Sequence, residues 1–182
     1  MSGHNKWSKV KHKKAAVDAR KSRAFSKLAR LIAVESKKAG GDGNAPGVRT
    51  AVLKARSLNM PGDNIARALE KGKSGGIETA EHVVYETYGP GGAALIILVL
   101  TDSKNRTNAE IKHILAQEGF SLATPGSALW AFTKEHDGWV AQISVDLHDT
   151  EGKLLEKLVE LLEEHEDVQN VYTNAHYEST LD

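Results

Sequence analysis

Apolar residues recur at two different spacings along the chain, and the place where the spacing changes divides it. Over residues 15–38, Phe25, Leu28 and Ile32 fall on one face of a helix, and Gly40-Gly41 supplies its stop. Asn44 and Pro46 open a second predicted helix carrying Val48, Ala51, Val52, Ala55 and Leu58. Pro61 opens a third with Ile65, Ala68 and Leu69, closed by Gly72. Beyond Lys73-Ser74-Gly75-Gly76 the period shortens. Residues 82–88 and 93–100 read as strands joined by the turn Gly89-Pro90-Gly91-Gly92, the second apolar enough to run through the middle of a covered sheet. Thr107 and Glu110 form a T-x-x-E capping box before a helix bearing Ile111, Ile114 and Leu115, ended by Gly119. Strands follow over 129–133 and 140–145, then a leucine-rich helix from about Gly152 to His165, then a strand over 168–173. The predicted fold class is α+β: a three-helix N-terminal domain, residues 1–76, followed by an α/β sandwich, residues 77–182, with an antiparallel-rich sheet and helices on one face.

Charge changes sign at the same boundary. Through Gly76, 18 Lys and Arg stand against 5 Asp and Glu, and beyond it 6 stand against 19, so the formal net charge of zero is a cancellation. A basic half that repels itself in compact form is best neutralised by a polyanion, which makes nucleic acid the leading partner class. Within residues 3–14, His4, Lys6, Lys9, Lys11, His12, Lys13 and Lys14 surround Trp7. Cations neutralise phosphates there, and an indole face stacks on an unpaired base. Arg20, Arg23, Lys27 and Arg30 continue the series as a stripe opposite the apolar face of the first helix, with Lys21 beside them as a further candidate contact. The competing reading is a solvated basic tail whose Trp7 packs on its own domain.

In the acidic half, Asp102-Ser103-Lys104-Asn105-Arg106-Thr107 lies between a strand and a helix N-terminus, where exposed N–H groups favour an anion. Lys104, Asn105, Arg106 and Thr107 are therefore candidate anion-binding residues. The alternative is a capped turn in which Asn105 and Asp102 satisfy backbone donors. Enzyme signatures fail. Gly72-Lys73-Ser74 lacks the earlier glycine and the preceding strand of a P-loop, the eight histidines show no H-E-x-x-H spacing, and Ser127 is not in a G-x-S-x-G elbow. Glu156, Glu160, Glu163 and Glu164 line a helix flank as a solvated face. No enzyme, metal or cofactor is expected. With no cysteine there are neither disulfides nor thiolate zinc sites, which suits a reducing cytosol. The longest apolar run, residues 93–100, is too short for a membrane span, and the N-terminus has no apolar signal region, so a cytoplasmic location is expected.

Six blocks carry a resemblance: G-H-N-K-W at 3–7, K-H-K-K-A-A-V-D-A-R at 11–20, Y-G-P-G-G at 88–92, T-D-S-K-N-R-T at 101–107, G-S-A-L-W-A-F at 126–132 and E-D-V-Q-N-V-Y-T-N at 166–174. In order and over essentially the whole chain, they resemble the YebC/PmpR family, which includes a mitochondrial translational activator. The resemblance implies a cytoplasmic regulator of gene expression, with members acting as ribosome-associated translation factors, and it shifts the expected target toward ribosomal RNA. Sequence-specific DNA binding in transcription is the alternative, with Arg56 and Arg67 as base-reading candidates. An interaction scaffold whose acidic domain docks a basic protein is the alternative of another class. Asn5 stands where the family usually has Ser. The family's inserted third lobe is expected to be absent near residues 134–139.

Overall fold

The computed structural model describes residues 14–77, 79–135 and 138–177, without the side chains of 14–19. Two compact units meet in the chain between Glu81 and His82. The first holds three helices: α1 (Lys14–Lys38), α2 (Pro46–Ser57) and α3 (Gly62–Lys73). Leu28 and Ile32 of α1 pack with Ala51 and Ala55 of α2, Met60 of the connection, and Ile65 and Ala68 of α3. Gly40 and Gly41 take φ of 61° and 87°, and the Gly41 N–H returns to the Ser36 carbonyl at 2.9 Å, which stops α1. Gly72 does something other than close α3. The helix runs on to Lys73, and a Cβ at Gly72 would stand 2.2 Å from the Ala33 carbonyl oxygen, so the missing side chain is what lets α3 lie against α1.

The second unit runs β1 (Glu81–Tyr88), β2 (Ala94–Thr101), α4 (Lys104–Gln117), β3 (Phe132–Glu135), β4 (Gly138–Ala141), β5 (Val145–Asp146), α5 (Asp149–Glu164), β6 (Val168–Thr173) and β7 (Ala175–His176). Its main sheet has the order β1-β2-β6, with β2 and β6 antiparallel from Leu95 opposite Thr173 to Val99 opposite Val168. β3 pairs antiparallel with β4, and β5 pairs parallel with β7. The architecture is α+β with an antiparallel-rich sheet. β2 is apolar from Ala94 to Leu100 because both of its faces are covered. Leu95, Ile97 and Val99 meet Ile111 and Leu115 of α4 and Leu155, Leu158 and Leu162 of α5, while Ala94 and Ile96 meet Ala128, Ala131 and Phe132.

Three local expectations are corrected. α4 begins at Lys104, with Thr107 inside the helix and fully buried, because the Ser103 N–H is already taken by the Thr101 hydroxyl at 2.9 Å and the chain turns early. A strand over 129–133 gives way to a 3-10 turn at Leu129–Ala131, with β3 starting only at Phe132. The N–H groups of Ala128 and Leu129 go to the Glu86 carboxylate at 2.7 and 3.0 Å, so they cannot serve a ladder. α5 starts at Asp149, where the Glu151 carboxylate accepts the His148 N–H at 3.1 Å, and Gly152 lies inside it, at a position where a Cβ would meet the Tyr177 ring at 2.3 Å.

Candidate nucleic-acid interface

Arg20, Arg23, Lys27 and Arg30 recur every three or four residues on α1, which puts them on one side of the helix at 100° per residue. Phe25, Leu28 and Ile32 hold the other side against α2 and α3, and this packing fixes the direction in which the cations point. Arg20 is exposed, and Arg23, Lys27 and Arg30 are half-buried. Lys21 stands apart, with its ammonium 5.5 Å from the centre of the Phe25 ring in a cation–π contact. Past Arg30 the stripe ends, since Ile32, Ala33, Val34 and Ser36 are buried around the helix. Lys14 lies in the first turn of α1, and His4, Lys6, Trp7, Lys9, Lys11, His12 and Lys13 lie outside the described residues. Exposed cations on the other two helices enlarge the surface: Arg49, Lys54 and Arg56 on α2, and Arg67, Lys71 and Lys73 on α3. Arg67 is laid along α3 by its bonds to the Asp63 carbonyl, 3.3 Å away, and to the Asn64 side chain. Arg56 and Arg67 are the base-reading candidates of the DNA alternative, whereas Arg49, Lys54, Lys71 and Lys73 lie outside the stripe that the spacing on α1 marks.

The turn between β2 and α4 closes around a carboxylate. Asp167 is fully buried and accepts hydrogen bonds from Arg106 Nη2 at 3.0 Å and Thr107 Oγ1 at 2.6 Å. Arg106 also donates to Asp102 at 2.8 Å. The bonds to Asp167, then to Asp102, push the guanidinium pKa above its ordinary value, so Arg106 is a permanent cation bound inward. The Asp167 N–H donates to His165 Nδ1 at 3.1 Å, which leaves Nε2 to carry the ring proton toward Glu110, 2.8 Å away. Glu110, His165 and Asp167 offer three ligand atoms within 4.8 Å of one another. Arg106 lies 3.0 Å from the Asp167 oxygen and 3.9 Å from that of Glu110, so a protein cation already serves this cluster. Of the four candidate anion-binding residues, Lys104 and Asn105 are exposed, whereas Arg106 and Thr107 are engaged with Asp167.

A second buried carboxylate organises the loop after α4. Glu86, on β1, accepts N–H bonds from Gly126 at 2.6 Å, Ala128 at 2.7 Å and Leu129 at 3.0 Å. The loop thereby presents Trp130, whose indole N–H donates to the Tyr88 hydroxyl at 3.1 Å, and that hydroxyl donates to the Ser127 carbonyl. Trp130 is 58% exposed and Tyr88 37%. No periodicity marks this pair, because the two rings are brought together by the loop and not by one element.

Residues 5–75 match the TACO1/YebC protein N-terminal domain, and residues 80–138 and 134–175 match the TACO1/YebC second and third domain. The chain belongs to the TACO1/YebC family. Among its relatives in that family, a "Probable transcriptional regulatory protein" of Fervidobacterium nodosum is 49% identical over 138 residues, 74% of this chain and 54% of that one. The chain thus spans about half the length of that relative. A "Probable transcriptional regulatory protein" of Pelotomaculum thermopropionicum is 33% identical over 242 residues, covering 98% of this chain and all of that one, an alignment longer than the 182-residue chain itself. The crystal structure of a conserved hypothetical protein from Aquifex aeolicus superposes with a TM-score of 0.79 at 28% identity, over 97% of this chain and 99% of that one. TACO1/YebC membership therefore rests on both sequence and fold, and no helix among the described residues is long and apolar enough to cross a membrane.

Proposed function

We propose that this TACO1/YebC chain is a non-catalytic, cytoplasmic, nucleic-acid-binding regulator of gene expression, acting on ribosomal RNA in translation. The observation that carries the reading is the rigid presentation of Arg20, Arg23, Lys27 and Arg30 along α1, backed by a core that leaves no freedom to turn them away. His4, Lys6, Trp7, Lys9, Lys11, His12, Lys13, Lys14 and Lys21 complete the contact set. Phosphates are met by the helix cations, and Trp7 supplies the base contact that charge alone lacks. Names borne by the relatives support regulation of gene expression as the general role.

On this reading the chain is divided by charge into a basic domain, residues 1–76, and an acidic one, residues 77–182, the latter open to a protein partner. The hairpin of β3 and β4 stands where longer members carry an additional lobe. Support comes from the two family segments, which meet at residues 134–138, within that hairpin. Contacts that such a lobe makes elsewhere in the family are not assigned to this chain.

One observation favours DNA as a second reading. α2 and α3 are joined by the short connection 58–61, the length of a helix-turn-helix link, and Arg67 is exposed on α3. Crosslinking in cells followed by sequencing of the attached nucleic acid separates the two. Ribosomal RNA is expected; recovery of promoter DNA alone assigns the protein to transcription, and recovery of neither at levels above an unrelated basic protein leaves a scaffold.

A further inference from the structure

Among the α-helices of the described residues, α2 alone carries no carboxylate, while it holds Arg49, Lys54 and Arg56. Val48, Ala51 and Ala55 are buried, which turns the other side of the helix outward. At the centre of that outer side is Leu53, 61% exposed and the most exposed large apolar side chain of the described residues. With 3.6 residues per turn, Arg49 and Arg56 lie about 40° and 60° to one side of Leu53, and Thr50 and Ser57 about 60° and 40° to the other. All four are exposed. Among the described residues neither guanidinium has a partner, nor has the Thr50 hydroxyl. Ser57 Oγ donates to the Lys54 carbonyl at 2.8 Å and keeps its lone pairs to accept. The Glu35 carboxylate does approach α2, but at Gly47, about 120° round the helix from Leu53.

The outer face thus has two cations on one edge, two hydroxyls on the other and an apolar side chain between them. An occupant must offer anions, hydroxyl partners and apolar surface side by side, and the ribose-phosphate backbone of RNA does. The two arginines are two turns apart, about 10 Å along the axis, which matches alternate phosphates of one strand. A-form RNA displays its 2′-hydroxyls in a wide, shallow minor groove, which short side chains such as Leu53, Thr50 and Ser57 can enter. The minor groove of B-DNA, about 6 Å wide, does not admit a helix about 10–12 Å across. Its major groove is read by polar groups, and the centre of this face is Leu53. We propose that the outer face of α2 binds double-stranded RNA across its minor groove, with Arg49 and Arg56 on phosphates, Leu53 on the sugars, and Thr50 and Ser57 on 2′-hydroxyls. This rests on the nucleic-acid reading of the basic unit and narrows it to an A-form duplex, recognised by shape and sugar chemistry.

The probes are a blunt, fluorescent RNA duplex of about 16 base pairs, the DNA duplex of the same sequence, and the same RNA with 2′-O-methyl sugars, which keeps the A form and the charge. The full chain is expected to bind the RNA duplex about tenfold more tightly than either of the others by anisotropy at equal ionic strength. Thr50→Val/Ser57→Ala is expected to bring the three affinities within about threefold of one another by weakening the unmodified RNA alone. Arg49→Gln/Arg56→Gln is expected to weaken all three and to make the slope of log K against log salt shallower by about 1.4 to 1.8. These side chains are exposed, and equal melting temperatures confirm that the variants fold. DNA bound as tightly as RNA, indifference to 2′-O-methylation, or no saturable binding to the RNA duplex overturns the proposal. So does a Thr50→Val/Ser57→Ala variant that keeps the full preference for RNA. The Arg20→Glu/Arg23→Glu/Lys27→Glu variant is measured beside them: if it loses RNA while both α2 variants bind as the parent does, the nucleic-acid reading stands and this proposal falls.

Discussion

Replacing Glu86 by Gln removes an acceptor from a loop that needs both carboxylate oxygens. One oxygen takes the Gly126 N–H at 2.6 Å, and the other takes those of Ala128 and Leu129 at 2.7 and 3.0 Å. Glutamine has a single acceptor oxygen. If that oxygen faces Ala128 and Leu129, the amide NH2 faces the Gly126 N–H, donor against donor; the flipped amide exchanges one conflict for two. The variant loses one charge-assisted bond, weakens two others and orphans a shielded donor, with bonds to charged groups worth roughly 1.5–3 kcal/mol each and an orphaned group costing about 1–3 kcal/mol. Because Glu86 is 4% exposed, water can relieve little of this, and a loss of about 2–4 kcal/mol is expected. Urea unfolding read by near-ultraviolet circular dichroism measures it. Amide exchange localises it, with Gly126 losing protection before the amides of β2. A change below about 0.5 kcal/mol, or unaltered exchange at Gly126, would refute the claim that this carboxylate holds the loop.

Other substitutions test neighbouring parts of the account. Gly72→Ala, which would favour an isolated helix by about 1 kcal/mol, is expected instead to destabilise the helical unit by about 1–3 kcal/mol in urea, because its Cβ meets the Ala33 carbonyl oxygen at 2.2 Å. A neutral or stabilising result removes Gly72 from the α1–α3 contact. Thr107→Val is expected to cost about 1–3 kcal/mol in the same assay. It deletes the hydroxyl that reaches Asp167 at 2.6 Å and Thr101 at 2.7 Å, and an unchanged midpoint would mean that water takes its place. Trp7→Ala is expected to weaken RNA binding by about 1–3 kcal/mol while leaving its salt dependence intact. Normal binding, or a loss explained by a lowered melting temperature, excludes a base contact.

Much of the fold follows from spacing that a reader of the sequence can see. Leu28 and Ile32 keep the helical period, and β2 is apolar from Ala94 to Leu100 because both of its faces are covered. What escapes is set by contacts between residues far apart in the chain. Gly72 and Gly152 look like helix boundaries, yet each lies inside a helix, at a position where Ala33 or Tyr177 comes too close for a side chain. The segment at Leu129 has strand-like composition, and a carboxylate from β1 takes its donors. In the same way Thr107 resembles a helix cap until Asp167, sixty residues later, engages its hydroxyl. The cationic face of α1 was legible because charge and period coincide on one helix; the pairing of Tyr88 with Trp130 was not, since a loop anchored on Glu86 brings the two rings together.

The central claim is that the α1 cations meet nucleic-acid phosphates, and its most direct test is the salt dependence of binding to a structured ribosomal RNA fragment. The protein and its Arg20→Glu/Arg23→Glu/Lys27→Glu variant are compared at matched thermal stability. Each phosphate contact contributes about −0.7 to −0.9 to the slope of log K against log salt, so the variant's slope is expected to be shallower by about 2 to 3, with weaker affinity for every RNA tested. A folded triple variant that retains the parent slope and affinity would contradict the account and leave the α1 stripe a solvated surface.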